Sequence, residues 1–108
     1  MPKEREKAEF SDDYLLETGR KVLSMEAEEL QRAAARVGQE LVEAARVIHN
    51  CEGRLVVVGM GKSGLVGRKI AATLASLGTP AFFLHAAEGA HGDLGMVCRD
   101  DAGLFLSN

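Results

Sequence analysis

Leu55-Val56-Val57-Val58 runs straight into Gly59-Met60-Gly61-Lys62-Ser63-Gly64, and no other feature of the chain restricts its fold so much. A continuous β-branched run has no polar side to turn toward water, so it reads as a strand buried on both faces, the place of a central strand in a parallel sheet. Parallel neighbours need crossover connections, which are usually helices. Residues 62–77 supply one: Leu65, Ile70, Leu74 and Leu77 recur at roughly helical spacing, Gly78 ends the run, and Thr79-Pro80 keeps it from resuming. Ala81-Phe82-Phe83-Leu84 then reads as a second strand, completing a βαβ unit. Residues 85–98 mix His, Gly, Glu and Asp around few apolar positions and predict a functional loop with a helical turn, and Ala102–Leu106 reads as a third strand.

The N-terminal half follows a different period. Residues 1–10 are charged and aperiodic, a flexible tail. Ser11 followed by Asp12 and Asp13 predicts an N-cap with acids in the first helical turn, where the helix dipole favours them. Leu16, Leu23, Leu30 and Val37 recur every seven residues, with Leu15, Val22, Leu41 and Ile48 beside that line. This is an apolar stripe on a long helical stretch. Gly38 is the expected break between two helices of about 20 and 14 residues, given the looseness of boundaries read from sequence, and Asn50–Gly53 ends the second. The stripe has two readings, packing against the protein's own sheet, which is the commoner case, and a subunit interface. The organisation is thus a tail (1–10), N-terminal helices (11–52) and an α/β core (53–108).

Charge narrows the partners. Thirteen Lys and Arg against sixteen Asp and Glu give a net charge of -3, too little positive field to hold a nucleic-acid backbone or an anionic membrane. The acidity sits in the first half, while residues from Arg54 onward carry five basic and four acidic side chains and can accept an anion. No apolar leader follows the N-terminus and no stretch approaches the roughly 18 residues of a membrane span, so a cytoplasmic protein is expected. Cys51 and Cys98 form no CxxC and read as free thiols in a reducing compartment.

The glycine loop between a buried strand and a helix turns backbone amides and a helix N-terminus toward one place, a site for an anion. A Walker A loop requires glycine where Val56 stands, which disfavours nucleoside triphosphates. The residues do satisfy GxGxxG, but a dinucleotide site also wants an acid at the end of the second strand, and His85 stands there.

Three segments in order, Gly59–Gly64, Gly78-Thr79-Pro80-Ala81-Phe82-Phe83-Leu84-His85 and Glu88-Gly89-Ala90-His91-Gly92-Asp93-Leu94-Gly95-Met96, closely resemble the bacterial D-arabinose 5-phosphate isomerases, whose catalytic unit is a sugar isomerase (SIS) domain. The resemblance implies a flavodoxin-like parallel sheet, here partial with about three strands and preceded by two α-helices. It implies a phosphorylated pentose as substrate, aldose-ketose interconversion of D-arabinose 5-phosphate and D-ribulose 5-phosphate, and a place in supplying the precursor of Kdo for lipopolysaccharide. It assigns catalysis to Lys62 and substrate contacts to Gly61, Ser63, Gly78, Thr79, His91 and Ser107. His85 matches a position that can bind zinc in the family, although no cofactor is required. A homo-oligomer is expected.

The chemistry agrees. Moving a proton between neighbouring carbons through an enediol needs an acid/base group near neutrality and a cation beside the developing oxyanion, roles that a His and a Lys fill. Family members continue past the third strand with a Ser-rich phosphate loop, further catalytic groups and commonly paired CBS domains. The chain therefore reads as an N-terminal fragment expected to be inactive alone. The alternatives are an SIS sensor that binds phosphosugar without turnover, and the dinucleotide binder.

Overall fold

The computed structural model describes residues 10–89 and 92–107. They fall into two compact units, Met1–Glu40 and Leu41–Asn108.

Helix α1 spans Asp12–Arg36, 25 residues rather than about 20. Its start is as the sequence predicts: the Tyr14 N–H donates to Ser11 Oγ at 3.3 Å, and Asp12 and Asp13 occupy the first turn. It ends where Val37 turns extended (φ -63°, ψ 131°), one residue before Gly38. No residue of α1 is buried. Of the eight positions of the heptad stripe only Ile48 packs against the core; Leu15, Leu16, Val22, Leu23, Leu30, Val37 and Leu41 are all exposed. The commoner reading of the stripe, a buried face, is thus not seen at those seven positions.

Helix α2 (Gln39–His49) closes with the Asn50 N–H donating to the Arg46 carbonyl at 2.9 Å. The α/β core follows: β1 (Leu55–Gly59), α3 (Gly61–Ser76), β2 (Ala81–His85), the single turn α4 (Ala86–Gly89), a 3-10 turn (Asp93–Met96) and β3 (Ala102–Phe105). All three strands are parallel in the order β2-β1-β3, with Val57 between Phe83 and Leu104. The β-branched run is indeed the central strand, and the order 2-1-3 is that of flavodoxin-like sheets.

Alternation along β1 gives the sheet two different faces. Leu55 and Val57 point toward α3, where they meet Ala71 with Ile70, Leu74, Phe83 and Leu104 around them. Val56 and Val58 point the other way, into an apolar groove of about 510 Å³ that Leu84, Leu94, Val97 and Phe105 also line. Helix α3 lies close on the first face because two of its glycines let it. A Cβ at Gly67 would stand 3.0 Å from the Phe83 ring and 3.1 Å from Val57, and one at Gly64 would stand 3.4 Å from the backbone of Gly59.

Candidate active site at the carboxyl ends of the strands

In a parallel sheet every strand ends at the same edge, and ligands bind there because the following helices begin there. Here β1 hands over to α3 within one residue. Met60 is the N-cap, extended and with no side-chain capping bond, and Gly61 takes a φ of 60° to make the turn. The first N–H groups of α3 have no intrahelical acceptors, since those begin with the Gly64 N–H bonding the Met60 carbonyl at 3.1 Å. No acid occupies that first turn; Lys62 does. A lysine there opposes the helix dipole, whereas an anionic ligand would be favoured by both.

Lys62, Ser63 and Val66 of α3, Phe105 at the end of β3, and Leu106 and Ser107 after it line one cavity of about 390 Å³. Two hydroxyls and an ammonium therefore converge beside a helix N-terminus, with an apolar wall opposite. Lys62 is exposed and Ser63 half-buried, so the charge keeps its water until a ligand arrives. Val66, Phe105 and Leu106 were not singled out from the sequence. Their signal was positional: Val66 is one helical turn past Lys62, and Phe105 closes β3 at the same edge.

His85 ends β2 and pairs in register with Gly59, placing it at the same edge on the other side of β1. Its Nδ1 accepts the Ala87 N–H at 3.1 Å, which leaves Nε2 as the outward nitrogen. Among the described residues no three His, Cys, Asp or Glu side chains gather, so they do not by themselves make a zinc site around His85. The expected substrate residue His91 lies outside the described residues.

Gly78 and Thr79 lie apart from this set in this chain. They precede β2, so parallel topology puts them at the opposite edge, lining a cavity of about 240 Å³ with His49, Cys51 and Pro80. A five-residue strand separates the two edges by about 16 Å. Gly78 instead closes α3: at φ 97° its N–H reaches the Ala75 carbonyl and the Thr79 N–H the Leu74 carbonyl.

The same far edge carries a clamp. The Asp101 carboxylate accepts the N–H groups of Arg54 and Cys98, both at 2.7 Å, and the Arg54 guanidinium lies 3.5 Å away. Those two backbone bonds, with the Arg54 charge, hold the Asp101 carboxyl below the usual carboxylate range. Arg54 also stacks over Phe82 at 4.5 Å and donates to the Met96 carbonyl at 2.6 Å, tying the starts of the strands together.

Residues 48–108 match the SIS domain family. The arabinose 5-phosphate isomerase GutQ of Shigella flexneri is 57% identical over 95 residues, 88% of this chain and 30% of the relative. The arabinose 5-phosphate isomerase KdsD of Pseudomonas aeruginosa is 50% identical over 93 residues, 86% of this chain and 28% of the relative. A solved structure of Escherichia coli CFT073 c3406 in complex with arabinose 5-phosphate superposes with a TM-score of 0.87 at 37% identity, covering 92% of this chain and 53% of that one. The chain thus spans about 30% of the length of these curated relatives and about half of the solved chain.

Proposed function

The chain belongs to the SIS domain family, and from that premise we propose that it supplies the first part of the active site of a D-arabinose 5-phosphate isomerase. The convergence of Lys62, Ser63 and Ser107 on one cavity beside the bare N-terminus of α3 carries the reading. The names of the relatives support the same sugar, a phosphorylated pentose.

In this proposal the dianionic substrate is drawn to the amides and hydroxyls at the start of α3, and Lys62 stands beside the sugar oxygen that gains charge as the enediol forms. A neutral imidazole near that oxygen would shuttle the proton between the two carbons; His91 is the candidate carried by the family resemblance. The sensor and dinucleotide readings are not favoured: the relatives are named as isomerases, and β2 ends in His85 where a ribose would need an acid. Through the same resemblance the product would feed Kdo synthesis, in the cytoplasm and in a homo-oligomeric enzyme. No helix among the described residues is long and apolar enough to cross a membrane.

The test is a chimera in which residues of this chain replace the matched 95 residues of the Shigella flexneri relative. It should interconvert D-arabinose 5-phosphate and D-ribulose 5-phosphate, and Lys62→Ala within it should lower kcat by about 10²–10³, the worth of one oxyanion-stabilising donor. A folded chimera without turnover, or a Lys62→Ala variant at full rate, would overturn the assignment.

A further inference from the structure

His85 closes β2 at the edge where ligands bind, and the hydrogen bond on its inner nitrogen decides what its outer nitrogen can do. We propose that His85 is held as the Nε2–H tautomer and gives that N–H to a sugar oxygen of the substrate, in place of the metal contact expected at this position. The tautomer stands on the hydrogen bond alone; the sugar contact rests on the isomerase reading.

A neutral imidazole has one N–H and one in-plane lone pair. The Ala87 N–H can only donate, and it reaches Nδ1 of His85 at 3.1 Å, so the lone pair is on Nδ1 and the proton on Nε2. The bond is that of a helix cap. His85 precedes α4 and takes the amide two residues on, one of the N–H groups that a first helical turn leaves without a partner.

A zinc ion needs a lone pair on whichever nitrogen it meets. At Nδ1 the Ala87 amide already holds it. At Nε2 the ion would drive the proton to Nδ1, where it would face the Ala87 N–H, donor against donor, and the amide would lose its acceptor. Metal-bound histidines are arranged the opposite way, with the second nitrogen donating to a carboxylate, a carbonyl or water. His85 therefore does not fit zinc, and the reason lies in the ring itself.

Position gives the donor its use. His85 pairs in register with Gly59, and Phe105, two residues before Ser107, pairs with Val58, so His85 and Ser107 stand on either side of the turn from β1 to α3. Two strand spacings, about 10 Å, separate β2 from β3. An open-chain five-carbon sugar phosphate can lie across that gap: with its phosphate at the start of α3 beside Ser63 and Ser107, its other end comes toward β2. There a neutral N–H can hold a hydroxyl or carbonyl oxygen without competing with Lys62 for the phosphate.

Two amide substitutions separate the roles of the two nitrogens. His85→Asn puts an oxygen near the place of Nδ1, which keeps the acceptor for Ala87 and removes the outer donor. His85→Gln puts an NH₂ near the place of Nε2, which keeps the donor and removes the acceptor. In the chimera with the Shigella flexneri relative, kcat/KM for D-arabinose 5-phosphate should be about tenfold lower for His85→Asn than for His85→Gln, the worth of one hydrogen bond, while thermal unfolding should rank the two the other way. A ring that only holds the loop would rank activity with stability, and a metal ligand would lose activity equally in both; either result would overturn the sugar contact. The tautomer is read on the intact chain by long-range ¹⁵N–¹H correlation at alkaline pH, with His85→Gln identifying the His85 signals. The bonded proton should be on Nε2, and equimolar zinc chloride should leave both ring nitrogens unshifted; a proton on Nδ1, or an Nε2 shifted by zinc, would overturn the proposal. An unmodified chimera without turnover would overturn the isomerase reading and the sugar contact with it, and the spectrum would still decide between donor and metal ligand.

Discussion

Replacing Gly67 by alanine puts two opposing effects in one methyl group. Gly67 sits in the middle of α3, and by helix propensity alone the change is favourable by about 1 kcal/mol. The methyl would arrive 3.0 Å from Phe83 Cε1 and 3.1 Å from Val57 Cγ1, inside normal contact distance of both. Neither neighbour is free to give way. Val57 is wholly buried in the central strand, and the Phe83 ring is held under the Arg68 guanidinium at 4.5 Å. Overpacking a tight core costs about 1–3 kcal/mol, so the loss exceeds the gain and the net destabilisation is about 1 kcal/mol. For a domain of this size that lowers Tm by about 4–8 °C. Thermal unfolding followed by far-UV circular dichroism measures it. Phe83→Leu in the same chain removes the nearest ring atoms, so the double variant should be more stable than the two single effects added together. A Gly67→Ala chain that melts higher than wild type, or a double variant that is simply additive, would show that α3 has room to move off the sheet. The outcome matters for the site, because α3 carries Lys62 and Ser63 at its first turn and its seat on β1 decides where they stand.

Gly61→Ala should destabilise by about 1–2 kcal/mol through its φ of 60° alone, since open space surrounds that position; urea unfolding of Gly61→Asn should show a smaller loss. Asp101 contributes stability at pH values above the ordinary aspartate pKa of about 3.9, because its folded pKa is lowered, and that contribution vanishes as pH falls through the lowered folded value. The gap in urea midpoint between wild type and Asp101→Asn should therefore be open at pH 7 and close progressively below about pH 4; a gap that stays constant would separate Asp101 from the acid sensitivity.

The elements of the core were legible because each carries its own local signal. Leu55–Val58 is apolar at every position and became the central strand. Ser11 offers an oxygen at the right distance along the chain from a free N–H and became a cap. Gly78 followed by Thr79-Pro80 ended α3 where expected, because a left-handed glycine and a following proline stop helices by their own geometry. Lys62, Ser63 and Ser107 were named from motif and resemblance, and the fold brings all three to one cavity. Gly78 and Thr79 were named the same way and lie at the other edge. The motif carried their identity but not their side of the sheet, which follows from the sense in which β2 runs.

What the sequence determined by itself is therefore the set of elements and their ends, since periodicity, capping and turn chemistry act between residues a few positions apart. It also marked which residues differ from what structure alone needs, such as a lysine at a helix start. Only the tertiary structure decided which partners those elements meet. It sent one face of β1 to α3 and the other to an open groove, and it joined Ser107 to Lys62 across 45 positions of the sequence. It also left α1 with no buried residue, where burial was the commoner reading of its stripe. A periodic apolar face states that a helix has something to cover, and only the packing of whole elements, which depends on the volumes and strand directions of distant residues, states what.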